Sequence, residues 1–143
     1  MFYDFSSAFN IMQPHLFACK LVKMNVGAYT ILWILDYFTN RPQFVRLASS
    51  LTSDLMYANT GGPQGTSLLP FLFTLYTADC RNTHDECQTD KFADDIAQIG
   101  QITDDDDRHY FQAFTDFVQW CDDNFLELNV ANTKEMIVDF RKH

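Results

Sequence analysis

A chain of 143 residues with 47% hydrophobic and 15% aromatic content is sized for one packed domain, and is too apolar to be disordered. Its net charge of -9 lacks the basic footprint of a free-standing nucleic-acid binder, because an acidic surface repels phosphate. The four cysteines (19, 80, 87 and 121) form no C-x-x-C pair and no zinc-finger signature, and reduced, partly buried thiols in an intracellular protein are the better reading.

Phe2-Tyr3-Asp4-Phe5 reads as the end of a strand of the central type, so truncation at the N-terminus is expected. Ser6 and Ser7 supply turn chemistry, and Ala8-Phe9 follow at the turn. Pro14 opens a helix at a position where its missing N–H costs nothing. Leu16, Phe17, Leu21 and Met24 form that helix's apolar stripe, and Asn25 to Gly27 end it. A second helix is predicted from about Ala28 to Tyr37, closed by Thr39-Asn40-Arg41-Pro42. Gln43 to Leu47 has strand composition, Ala48 to Ser53 is a polar turn, and Leu55 to Asn59 is the hairpin partner.

Thr60-Gly61-Gly62-Pro63-Gln64-Gly65 places three glycines within five residues, a backbone that must approach something closely or take positive φ. A plain loop-to-helix turn explains it equally well. Thr66 and Ser67 are cap residues for a helix over Leu68 to Tyr76, apolar nearly all round and therefore predicted to be buried. That run contains Pro70 and is too short to span a bilayer, and Asp4 stands where a secretory leader would be apolar. A soluble protein is expected, with no membrane partner. No basic localisation run separates nuclear from cytoplasmic residence.

Lys91 to Gly100 contains adjacent aspartates, Asp94 and Asp95, between strand-prone apolar residues. Alternation along a half-buried strand would waste one carboxylate and bury the other. The pair therefore belongs at a hairpin tip, either as a solvated turn or, with a third carboxylate, as a site for a hard divalent cation. The four aspartates Asp104 to Asp107 lack the central glycine and terminal glutamate of a calcium loop, and favour the N-terminus of the next helix. On that helix Phe111, Phe114, Phe117, Val118 and Cys121 make a core face. Asn124 to Asn129 is a link or short strand, and Met136 to Phe140 is a strand pattern.

An aspartate ending a strand, a glycine-rich loop entering a helix and an Asp-Asp hairpin supply three carboxylates from separate elements. Two Mg²⁺ ions need such a set for in-line phosphoryl transfer. These stretches resemble the palm of a reverse transcriptase from a non-LTR (LINE-type, jockey-like) retrotransposon. Asp4-Phe5-Ser6-Ser7-Ala8-Phe9-Asn10 is similar to motif A of that family. Gly61 to Thr66 with Pro70-Phe71-Leu72-Phe73 is similar to motif B, Phe92-Ala93-Asp94-Asp95 to motif C, and Leu128-Asn129 through Thr133-Lys134-Glu135-Met136 to motif D. Thr39 to Gln43 and Phe117 to Cys121 resemble its connectors.

The resemblance implies an α+β palm, a small antiparallel sheet backed by helices, occupying residues 1–143 and truncated at both ends. It implies RNA-directed DNA polymerase activity, with an RNA template, a DNA primer and dNTP as partners and two Mg²⁺ ions, replaceable by Mn²⁺, as cofactors. Asp4, Asp94 and Asp95 would hold the metals. Phe9 would gate the nucleotide sugar, and its plain alternative is core packing. Gly62, Pro63, Gln64 and Gly65 would touch nucleotide and template, and Lys134 would be the candidate general acid. The fingers and thumb, with their basic residues, are expected to be missing, which answers the charge objection.

Three departures stand out. Leu69 replaces the serine usual before the motif B proline, Asn132 replaces the lysine usual before the motif D threonine, and Gln88-Thr89-Asp90 is polar for a central strand. A catalytically inactive retroelement remnant is the first alternative, and an acidic metal-binding module built on Asp104 to Asp107 is the second.

Overall fold

The structure is a computed structural model describing residues 1–48, 51–82, 84–104 and 106–140. In chain order its elements are β1 (Phe2–Tyr3), α1 (Ala8–Ile11), α2 (Pro14–Lys23), α3 (Ala28–Phe38), β2 (Arg41–Gln43), β3 (Arg46–Ala48), β4 (Leu51–Thr52), β5 (Met56–Ala58), α4 (Leu68–Tyr76), β6 (Cys87–Phe92), β7 (Asp95–Gly100) and α5 (Arg108–Asp123). The fold is α+β, with small antiparallel sheets and helices. The chain forms two compact units, Met1–Ala8 with Thr77–His143, and Phe9–Tyr76.

The first unit is built on an antiparallel sheet in the order β1-β7-β6. Tyr3 pairs with Ile96 and Phe92 with Asp95. Ile96 and Gln98 point inward from β7, and the buried Gln98 amide is satisfied because the Tyr3 hydroxyl donates to its Oε1 at 2.6 Å. Helix α5 covers this face with Tyr110, Ala113, Phe117 and Cys121, and the Tyr3 and Phe117 rings lie 4.2 Å apart. Steps of three and four from Tyr110 define the stripe, so Phe111, expected inside, falls about 100° off it and is exposed.

On its other side β1 meets the segment after α5. Phe2 exchanges both backbone bonds with Lys134, and Phe5 bridges Leu128. A two-residue strand is thus paired along both edges, which is the central position its composition suggested. The polar Gln88-Thr89-Asp90 is explained by position, because β6 is the edge of the three-stranded sheet and polar side chains suit an edge. Met136 to Phe140 forms no strand. Its alternating pattern finds no ladder among the described residues, and Ile137 and Phe140 are exposed.

The second unit packs α2 on α3 and α4 through Phe17, Leu21, Ile34, Phe38, Phe73 and Tyr76, all buried. The Phe17 ring meets Phe38 and Tyr76 edge-on. Lys20 is buried on the same stripe, its ammonium donating to the Tyr76 carbonyl at 2.8 Å and sitting 4.9 Å from that ring's centre. The proposed all-round burial of α4 is corrected by Phe71, which is exposed. The expected strand over Gln43 to Leu47 is two strands instead. β2 pairs with β5 and β3 with β4, and between them Ser53 bonds Val45 through both its side chain and its backbone. The polar turn at 48–53 therefore contains β4, and Ser49 and Ser50 lie outside the described residues.

Candidate functional site

In the first unit the carboxylates are placed by strand register. Tyr3 faces Ile96, so one residue further along the same antiparallel register Asp4 falls across from Asp95. Asp94 occupies the two-residue turn between β6 and β7. The turn begins with Ala93 at φ +53°, a left-handed conformation a side chain adopts at some cost. Beside Asp95 a shallow cleft of about 310 Å³ is lined by Phe2, Asp90, Lys91 and Phe92 among others.

Asp4 is held from the segment after α5. Its Oδ2 accepts from Asn129 Nδ2 at 2.9 Å and Asn132 Nδ2 at 2.8 Å, while the Asn129 backbone N–H donates to its carbonyl. Carboxylate oxygens of this kind are the donors that a hard divalent cation prefers. As the side chains stand, no group of three His, Cys, Asp or Glu among the described residues is close enough to hold a metal ion. An ion would have to take Asp4 from amides that already satisfy it. Asp105 lies outside the described residues, and Asp106 is turned to Arg108, which donates to it from Nε at 2.8 Å and Nη2 at 2.5 Å. That pairing keeps the Asp106 carboxyl well below the usual range, first through the side-chain hydrogen bonds.

In the second unit Thr60, Gly62, Pro63 and Gln64 of the glycine loop line a cavity of about 880 Å³ with Asn10, Arg41 and Gln43 among others. Gly61 has φ +60°, and a Cβ there would lie 2.5 Å from the backbone of Asn10. The Gly61 N–H donates to Met12 O and the Gly62 N–H to Phe9 O, at 2.9 and 2.8 Å. Gln64 Nε2 donates to Asn10 Oδ1 at 3.0 Å. The glycines therefore serve a close approach of two backbones, as their spacing suggested. Phe9 is half-buried, its ring edge-on to Phe73 at 5.3 Å.

The sequence model of the family described as reverse transcriptase (RNA-dependent DNA polymerase) matches residues 1–140. The chain belongs to the reverse transcriptase family. Searches of curated proteins and of solved structures return no match.

In this reverse transcriptase chain a leucine at position 69 has a packing reason. Leu69 is buried, and a Cβ on Gly62 would fall 2.1 Å from its Cδ1, so the larger side chain occupies the space that Gly62 leaves. Lys134 pairs with Phe2 through its backbone, and its exposed ammonium donates to Ala131 O at 2.7 Å. Gly65, at φ +82°, is exposed, and a Cβ there would meet nothing within 4 Å. Sequence reasoning missed Asn129, Asn132, Asn10 and Arg41 as parts of these arrangements. Asn132 entered the sequence reading only as a residue standing where the resemblance leads one to expect lysine. Two asparagines at a spacing of three in a turn are a signal for capping a carboxylate once a partner strand is known.

Among the described residues no helix is long and apolar enough to cross a membrane.

Proposed function

We propose that the chain is the palm of a non-LTR (LINE-type, jockey-like) reverse transcriptase, and that its reaction is RNA-directed addition of a deoxynucleotide to a primer 3′-hydroxyl. The observation that carries this reading is the pairing of Tyr3 with Ile96, which brings the ends of β1 and β7 carrying Asp4 and Asp95 together beside the turn that holds Asp94, in a chain matched by the reverse transcriptase family along residues 1–140. Held by these three carboxylates, two Mg²⁺ ions, or Mn²⁺ in their place, would supply stabilisation of the negative charge on the attacking hydroxyl and on the departing pyrophosphate.

The remaining roles belong to the chain itself. Asn129 and Asn132 hold the Asp4 carboxylate in place. Phe9, backed by Phe73, would exclude a 2′-hydroxyl by bulk. Gly62, Pro63, Gln64 and Gly65 would hold nucleotide and template. Lys134 would give its proton to pyrophosphate after releasing Ala131 O.

Primer extension on an RNA template tests the reading, with Mg²⁺ and then Mn²⁺ and with Asp94→Asn beside the native chain. Nucleotide addition lost in Asp94→Asn supports the polymerase. The second reading, an inactive remnant, is favoured by the absence of a three-carboxylate cluster among the described residues. It predicts a folded chain that adds no nucleotide and whose Asp4, Asp94 and Asp95 resonances are not broadened by Mn²⁺.

A further inference from the structure

We infer that Arg41 is a positioning residue, a clamp on the glycine loop that fixes Phe9 and through it sets discrimination between deoxy- and ribonucleotides. From β2 its Nη2 donates to two consecutive carbonyls, Thr60 O at 3.0 Å and Gly61 O at 2.7 Å. Its Nε is buried and meets no acceptor, so the two carbonyls are what keep the guanidinium there. The same loop residues donate in the opposite direction, Gly61 N–H to Met12 O and Gly62 N–H to Phe9 O.

A cation drawing on the Thr60 and Gly61 carbonyls polarises the peptide groups whose N–H bonds, on Gly61 and Gly62, grip the backbone at Phe9 and Met12. Gln64 adds its own bond to Asn10. Arg41, loop and α1 therefore form one hydrogen-bonded chain that ends at the aromatic ring proposed as the sugar gate. The fit of that gate to a sugar depends on how firmly the Phe9 backbone is held, and a looser backbone lets the ring retreat from a 2′-hydroxyl.

The consequence for sugar choice rests on the polymerase reading, whereas the clamp does not. The test compares Arg41→Met and Arg41→Lys with the native chain by residue-resolved amide exchange, the Phe9 ring resonances and the ratio of dNTP to rNTP addition. In Arg41→Met the Gly61 and Gly62 amides are expected to exchange about tenfold faster or more. The Leu21 amide in α2 stays at its native rate, and the Phe9 ring resonances shift. Arg41→Lys, which keeps a charged donor, lies between, and ribonucleotide addition rises in the same order.

Native exchange at Gly61 and Gly62 in Arg41→Met, with α2 intact, would overturn the clamp. Faster exchange with unmoved Phe9 resonances would overturn its link to the gate. A native chain that adds neither nucleotide counts against the polymerase reading alone, because exchange and ring shifts decide the clamp without turnover.

Discussion

The two compact units differ most in charge. Phe9–Tyr76 carries four lysines and arginines against two acids, a net +2, while the other unit carries six against seventeen, a net -11. The chain's -9 is thus the sum of two dissimilar parts. The acid-rich unit holds Asp4, Asp94 and Asp95 on its sheet, chemistry suited to cations. The near-neutral unit, at net +2, does not share the acid-rich unit's repulsion of an anionic ligand. A bulk charge that speaks against nucleic acid does not speak for each part.

The largest expected effect breaks this division of labour at the acidic unit. Asp4→Asn or Asp94→Asn should lower RNA-templated addition on the order of 10³-fold, measured by primer extension, with the urea midpoint little changed. Equal activity in both variants would remove the acidic unit from the chemistry. Next come the two cores. Phe117→Ala, under the sheet, and Phe73→Ala, in α4, should each cost about 3–5 kcal/mol in denaturant unfolding, because both rings are buried against aromatic neighbours.

Within the loop, Gly61→Ala should cost about 2 kcal/mol or more, since a Cβ meets the Asn10 backbone as well as a positive φ. Gly65→Ala carries only the φ penalty, about 1 kcal/mol. Urea unfolding of both variants measures the difference, and equal costs would mean that the loop does not depend on its contact with Asn10.

A pH experiment separates the units again. Burial raises the Cys121 thiol and the Tyr3 and Tyr110 phenols, the last also through its 2.7 Å bond to Glu135. A raised folded value means that the stabilisation is complete below the unfolded value. It is then lost as pH climbs toward the folded one, from about 8.5 for the thiol and about 10 for the phenols. These three groups lie in the acidic unit, so amide protection in β7 should fall as pH rises above about 8.5, and further above about 10. The smallest effect is expected on the surface. Arg108→Ala should stay within about 0.5 kcal/mol in the same unfolding assay, because its pair with Asp106 is solvent-exposed.

Helices α2 to α5 were legible because each carries a long apolar period or a punctuating residue, as Pro14 and Gly27 do around α2 and α3, whereas the four-residue α1 was read as a turn. The hairpin bearing Asp94 and Asp95 was legible too, since two carboxylates between apolar residues leave few alternatives to a turn. What could not be read depends on partners far along the chain. The break at Phe44–Val45 comes from Ser53, the exposure of Phe111 from which stripe faces the sheet, and the missing strand at Met136 to Phe140 from the lack of a neighbour among the described residues. The amides on Asp4 were hidden for the same reason, because Asn129 and Asn132 reach it only when β1 is paired with the segment that follows α5.

That pairing of β1 also dictates an order of events in biosynthesis. Phe9–Tyr76 is contiguous and rich in local helical contacts, so it can mature while the ribosome is still making the rest. The strand Phe2–Tyr3 is made before all of its partners and is seated only after them. Its partners on one side begin at Ile96, and on the other it waits for Lys134. Until then the Ile96 side of the β6–β7 hairpin is an open edge, and a chaperone or a second nascent chain would compete with residues 2 and 3 for it.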